Sequence, residues 1–273
     1  MRRRRKLNVQ HLLLLIATIG IVLSLLIILF STISNHFKKE DTAAPATAVP
    51  TEQSTETAAA AAPASASATP DGESDPRFFD TNSILIVANK KHKLPDGYVP
   101  SDLVEITSVP KQDRQEMMRQ EAANALVAMF NAASQQGVQL YLTSAYRSYD
   151  YQVDVYNGYV AQNGQAYADS ISSRPGYSDH QTGLACDLGQ TDMVDMLDQT
   201  FINTAAGQWL YQHAHEYGFI LRYPQGKEAI TGYEYEPWHY RYVGVDTANA
   251  MYSISPDETM EEYFHIEGGD YAQ

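Results

Sequence analysis

Charged and apolar positions are segregated most sharply at the start of the chain. RRRRK occupies residues 2 to 6, and no charged side chain occurs from Leu12 to Ile33. About 22 such positions are enough for a helix across the hydrocarbon core of a bilayer. A cleaved signal peptide would carry a shorter apolar region and a small-x-small site, whereas STISNHFKK follows here. The only cysteine, Cys186, lies far from this region, which argues against lipoprotein processing. Five basic residues precede the run and Lys38 and Lys39 follow it. The positive-inside rule therefore leaves residues 1–11 in the cytoplasm and the rest of the chain outside. The expectation is an uncleaved signal anchor over 12–33 in the cytoplasmic membrane. Residues 34–76 are dominated by Ala, Thr, Ser, Pro and Glu. Such a segment buries too little apolar surface to offset its ordering entropy, so a disordered tether is expected.

From residue 77 to 273 the apolar residues become periodic. ILIVA at 84–88 reads as a short strand. Over 112–136, Met118, Ala122, Ala125, Met129 and Ala132/Ala133 recur at helical spacing, and Gly137 is a natural end. VQLYL then alternates, with Val138, Leu140 and Leu142 on one face of a predicted strand. Helices are expected over about 149–162 and 203–217, the second closed by Gly218 and followed by a strand at FILRY. Two further strands are predicted at GLACDL and WHYRYV. In the first, period two places Ala185 and Asp187 on one face and Leu184, Cys186 and Leu188 on the other. Helices and strands mix without βαβ alternation, so the fold class predicted is α+β, formed by one domain of 197 residues.

Charge and cysteine content narrow the function classes. After Lys39 the chain carries 12 basic against 33 acidic residues, a formal charge of −21. Nucleic acid is an improbable partner, because binding it requires a basic footprint. One cysteine rules out an internal disulfide, and its apolar setting marks an inert buried thiol rather than a nucleophile.

The chemistry concentrates in SDHQTGLACDLG, residues 178 to 189, and YEYEPWHYRYVG, residues 233 to 244. His11 and His36 flank the apolar span, His92 belongs to a solvated KKHK loop, and His265 lies near the acidic C-terminus. His213 and His215 stand about 200° apart on a helix and cannot reach one ion. His239 remains, with Glu236 three residues before it and Trp238 beside it. His180, Asp187 and His239 then supply two nitrogens and one carboxylate, the three-ligand set of catalytic zinc with a fourth position open for water. Glu236 is placed to accept that water's proton and deliver it to a leaving amine. The same donor types suit a non-haem iron oxygenase, but those sites usually draw on a close His-x-Asp/Glu pair, and here six residues intervene.

These motifs, S-x-H-x6-D as SDHQTGLACD and E-P-W-H as residues 236 to 239, with SAYRSYDYQ upstream, resemble the VanY-type D-alanyl-D-alanine carboxypeptidases. These are zinc peptidases of bacterial peptidoglycan that share a core with the hedgehog amino-terminal domain. The resemblance runs from about residue 84 to 245. It implies a small antiparallel-sheet peptidase core with flanking helices, Zn2+ on His180, Asp187 and His239, and Glu236 as base. It further implies that Arg147 polarises the scissile carbonyl and that Gln152 and Ser178 contact the terminal residue of the substrate, with Trp238 lining the same pocket. The expected partner is the peptidoglycan stem peptide, met by a monomeric catalytic domain that faces the cell wall. L,D-carboxypeptidases carry the same motifs, and the hedgehog relationship also allows a silent zinc-bearing wall-binding module.

Overall fold

Period-two alternation produces the central feature of the structure, a sheet with one apolar and one polar face. The computed structural model describes residues 72–192 and 197–271. In chain order the strands are β1 (Leu103–Glu105), β2 (Met117–Arg119), β3 (Leu140–Ser144), β4 (Ala185–Gln190), β5 (Phe219–Leu221) and β6 (His239–Tyr242). The helices are α1 (Gln120–Gln135), α2 (Tyr149–Asn163), α3 (Gln165–Ile171), α4 (Ala205–His213), the single turn α5 (Glu228–Thr231), α6 (Val245–Ile254) and α7 (Met260–Phe264). β1 and β2 form a hairpin, and the other strands form a four-stranded antiparallel sheet in the order β3-β4-β6-β5. The chain is therefore an α+β fold built on small antiparallel sheets.

On the apolar face of the larger sheet, Leu140, Leu142, Cys186, Leu188, Phe219, Leu221, Tyr240 and Tyr242 join the main core. Ala122, Leu126, Met129 and Ala133 of α1, together with Ala206 and Leu210 of α4, close over them. The opposite face carries Asp187, His239 and Arg241 beside Ile220. Ile220 belongs to a second apolar cluster with Phe78, Val87, Val243, Met251, Met260 and Phe264, contributed by segments near both ends of the described chain.

Several boundaries differ from the sequence reading. Residues 84–88 are not a strand. Their backbone is irregular yet Leu85 to Ala88 are buried, and Arg241 Nη2 donates to the carbonyls of Ile84 at 3.0 Å and Ile86 at 2.7 Å. A buried guanidinium thus replaces the neighbouring strand that would otherwise satisfy these acceptors. The helix expected over 112–136 begins only at Gln120, because residues 117–119 are drawn into the β1-β2 hairpin. The helix expected over 203–217 is α4 followed by a tight 3-10 turn at 214–217, closed by Gly218 at φ +85°. The tether assigned to 34–76 ends earlier: Gly72–Ser74 form a 3-10 turn, and Glu73 pairs with His92 Nε2 at 2.9 Å and accepts from Glu267 N at 2.8 Å. This contact also places His92, expected in a solvated loop, with only 11% of its side chain exposed. α3, α6 and α7 were not anticipated. The apolar span 12–33 lies outside the described residues, among which no helix is long and apolar enough to cross a membrane.

Candidate metal centre and its cavity

Antiparallel register brings the candidate residues together. Asp187 on β4 stands directly opposite His239 at the first position of β6, and opposite Ser144 at the end of β3. Between Leu142 and Ser144 the register shifts by one residue. Such a bulge bends a strand locally, and three residues beyond Ser144 the chain reaches Arg147, whose Nε donates to Ser144 Oγ at 3.0 Å. His180 lies on a 3-10 turn, Asp179–Thr182, that ends in Gly183 at φ +68°. A side chain at Gly183 would be strained by that backbone, and its Cβ would come within 2.8 Å of Leu103.

The nitrogens of the two histidines can be told apart by their partners. His180 Nδ1 is 2.7 Å from the carbonyl of Ala145, which only accepts, so Nδ1 carries the proton and Nε2 is left to face Asp187 Oδ2 at 3.3 Å. His239 Nδ1 lies 3.3 Å from Asp187 Oδ1 and 3.3 Å from Glu236 Oε2. One donor atom from each of His180, Asp187 and His239 lies within 4.8 Å of the others, and all three residues are buried. Ligand atoms held tetrahedrally at about 2.0–2.1 Å from zinc stand about 3.3 Å apart. His239 Nδ1 stands at that spacing from Asp187 Oδ1, and His180 Nε2 stands at it from the other oxygen of the same carboxylate, Oδ2. Asp187 Oδ1 is moreover buried with no hydrogen-bond partner. The donor set therefore fits a zinc ion.

Electrostatics favour the ligand protonation states of His180 and Asp187. At His239, by contrast, burial is outweighed by Asp179, Asp187 and Glu236, which hold the imidazole well above its ordinary value, so a metal bound there displaces a proton. Burial and the nearby Arg147 push His180 down to about 4, so its imidazole is neutral at pH 7. Burial alone would raise Asp187, but His180 and Arg147 outweigh it and hold the carboxyl well below its ordinary range. Arg147 Nη2 also donates directly to Asp187 Oδ2. Glu236 moves the other way: burial raises it above the usual glutamate value, partly offset by His239. A carboxylate made more basic in this way is suited to accept a proton.

All eight candidate residues line a single cavity of about 460 Å³: Arg147, Gln152, Ser178, His180, Asp187, Glu236, Trp238 and His239. Gln152 is 1% exposed, so it is no surface helix residue. Its Nε2 donates to Ser172 Oγ at 3.2 Å and to the Ser173 carbonyl at 2.8 Å, while Oε1 has no partner. Ser178 precedes the 3-10 turn without capping it, which leaves its hydroxyl to the cavity it lines. His213 and His215 are engaged elsewhere, with Glu216 and Asn249.

Sequence reasoning overlooked Tyr223, whose ring packs on His239 at 4.8 Å, and Asp179, which is fully buried behind the same imidazole. Only the adjacency of Asp179 to His180 hinted at its place.

A buried pair of imidazoles with one carboxylate, a basic glutamate and a guanidinium in one cavity is the equipment of a metal-dependent hydrolase. The pattern of the VanY D-alanyl-D-alanine carboxypeptidase family matches residues 115–245. Over 181 residues the chain is 34% identical to a bifunctional D-Ala-D-Ala dipeptidase and carboxypeptidase, VanXYC, of Enterococcus gallinarum, covering 66% of this chain and 92% of that one. Among solved structures, the LD-carboxypeptidase LdcB superposes with a TM-score of 0.63 at 42% identity, covering 70% and 89% of the two chains. A Zn(II) complex of the D,D-pentapeptidase VanY from a VanB-type resistance cassette superposes with a TM-score of 0.55 at 29% identity, covering 67% and 99%. The chain belongs to the VanY carboxypeptidase family.

Proposed function

We propose that this chain is a zinc carboxypeptidase that removes the C-terminal D-alanine from peptidoglycan stem peptides. The observation that carries this reading is the convergence of His180, Asp187, His239, Glu236 and Arg147 on one cavity. His180 through Nε2, Asp187 through its carboxylate and His239 through Nδ1 would hold the zinc. When bound, zinc supplies a Lewis acid that makes water more acidic and polarises a carbonyl. Glu236 takes the proton of the attacking water and returns it to the amine released when the terminal C–N bond breaks. Arg147, anchored on Ser144 and Asp187, offers its guanidinium to the carbonyl oxygen as negative charge gathers there. Gln152 Oε1 and the Ser178 hydroxyl meet the terminal residue, and Trp238 and Tyr223 exclude water around it.

The basic residues 2 to 6 and the uncharged run 12–33 support a single-span anchor with the catalytic region, a monomer, outside the cytoplasmic membrane and facing the wall. Incubation of the full chain with purified pentapeptide stems is expected to release D-alanine, identified by mass. No release from any stem in the presence of zinc overturns the assignment.

A second reading, L,D-cleavage of tetrapeptide stems, is favoured by the higher identity to LdcB, 42% against 29% for the D,D-enzyme. Release of D-alanine from tetrapeptide but not pentapeptide stems would establish it.

A further inference from the structure

On the side of the His239 ring away from Asp187, three buried polar atoms lack hydrogen-bond partners, with Asp179 Oδ2 between His239 Nε2 and Arg222 Nε. Asp179 Oδ2 lies 3.6 Å from His239 Nε2 and 3.7 Å from Arg222 Nε. The other oxygen of Asp179 is taken by Arg241 Nη1. The remaining nitrogens of Arg222 donate to both oxygens of Glu261, at 2.8 and 2.7 Å, and Glu261 Oε1 also accepts from Asn89 Nδ2 at 3.0 Å. Two carboxylates and two guanidiniums therefore form a neutral buried cluster whose one unfilled acceptor points at a candidate metal ligand.

A neutral imidazole carries one proton, and an ionised carboxylate facing one of its nitrogens draws that proton there. His180 has its proton set by a backbone carbonyl, at Nδ1; at His239 the proton-setting group stands on the opposite side of the ring. We propose that Asp179 is a positioning residue, which keeps the proton of His239 on Nε2 and presents Nδ1 to the zinc, and that the Arg222–Glu261 pair fixes Asp179 for this task. The 3.6 Å separation is about 0.5 Å beyond an ordinary N–H···O bond, within reach of a small side-chain adjustment. Asp179 is not a fourth ligand, because it lies on the Nε2 side of the imidazole whereas Asp187 and Glu236 lie on the Nδ1 side. Asn89 and Glu261 fall outside the family match of 115–245, so segments flanking the common core complete the setting of the site. This inference rests on His239 being a zinc ligand.

The wild-type full chain, labelled with nitrogen-15 histidine and loaded with cadmium-113 in place of zinc, tests the arrangement by NMR. Coupling of the metal to Nδ1 of His239 and to Nε2 of His180, with a proton on His239 Nε2, is expected; coupling to His239 Nε2 overturns the proposal. In D179N the amide oxygen stays on Arg241, which only donates, so the NH2 group faces His239 Nε2 and forces the proton to Nδ1. Its zinc affinity, measured by chelator competition, is expected to fall about 10- to 100-fold, and that of E261Q by less. A folded D179N with wild-type affinity overturns the role of Asp179, and unchanged affinity in E261Q overturns that of the clamp. If D179N does not fold, the cadmium coupling in the wild type decides. A wild-type chain that takes up no zinc overturns the zinc reading itself, an outcome separate from all of these.

Discussion

The two faces of the four-stranded sheet are made by alternate residues of the same strands and do opposite things. Cys186 and Tyr240 point into a closed apolar core, while their neighbours Asp187 and His239 point into the cavity. On the apolar face, side chains bury their surface against α1 and α4, and their contribution is stability. On the polar face, buried polar atoms of Asp187, His239 and Asp179 are left without hydrogen-bond partners, while deeper in the same cluster the terminal nitrogens of Arg222 are paired with Glu261. One strand can serve both purposes because successive side chains alternate, so a ligand needs only an apolar neighbour to be anchored in the core.

Substitutions on each face should separate rate from stability. The largest effect is expected for Glu236→Gln, which should lower kcat about 10²- to 10⁴-fold while zinc content and melting temperature stay near wild type. Turnover within tenfold of wild type would remove Glu236 as the base. The pH profile sharpens the same point. Glu236 acts as a carboxylate and its pKa is raised, so kcat/KM is full at higher pH and is lost as pH falls through that raised value. The acid limb should therefore lie above the ordinary glutamate value of 4.5; a limb at or below it would contradict the assignment.

Glu261→Ala leaves Arg222 buried without its carboxylate partner and is expected to cost about 3–5 kcal/mol in denaturant unfolding. Leu142→Ala, at a fully buried position of the apolar face, should cost about 2–5 kcal/mol, with kcat per folded molecule unchanged. A loss of kcat there without a loss of stability would break the division between the faces. The smallest effect belongs to Cys186. Burial pushes its thiol well above the usual range, so native protein should resist alkylation at pH 8, and Cys186→Ala should cost about 1 kcal/mol with activity retained. Rapid modification of the native thiol would show that Cys186 is accessible.

Much of the site was legible in the chain because its signals are local. S-x-H-x6-D and E-P-W-H carry ligands and base in short windows, and the alternation in GLACDL correctly separated Asp187 from Cys186. Gln152 and Ser178 were placed only through the family resemblance, since neither a helix glutamine nor a serine before a turn announces burial. Other misreadings have a common cause. ILIVA satisfies every local criterion for a strand, yet its acceptors are met by Arg241, 155 positions away from Ile86. Met117 to Arg119 suit a helix by spacing, but pair with Leu103 to Glu105.

By itself, then, the sequence determined which side chains alternate, where the helical faces run and which residue types stand ready for metal chemistry, because these depend on spacing along the backbone. Tertiary structure alone decided that Asp187 stands opposite His239 across 52 positions, that Asp179 lies behind that imidazole, and that Glu261 and Asn89 complete the buried charge cluster. Register and charge pairing are settled by which distant segments pack together, and no local pattern encodes that choice.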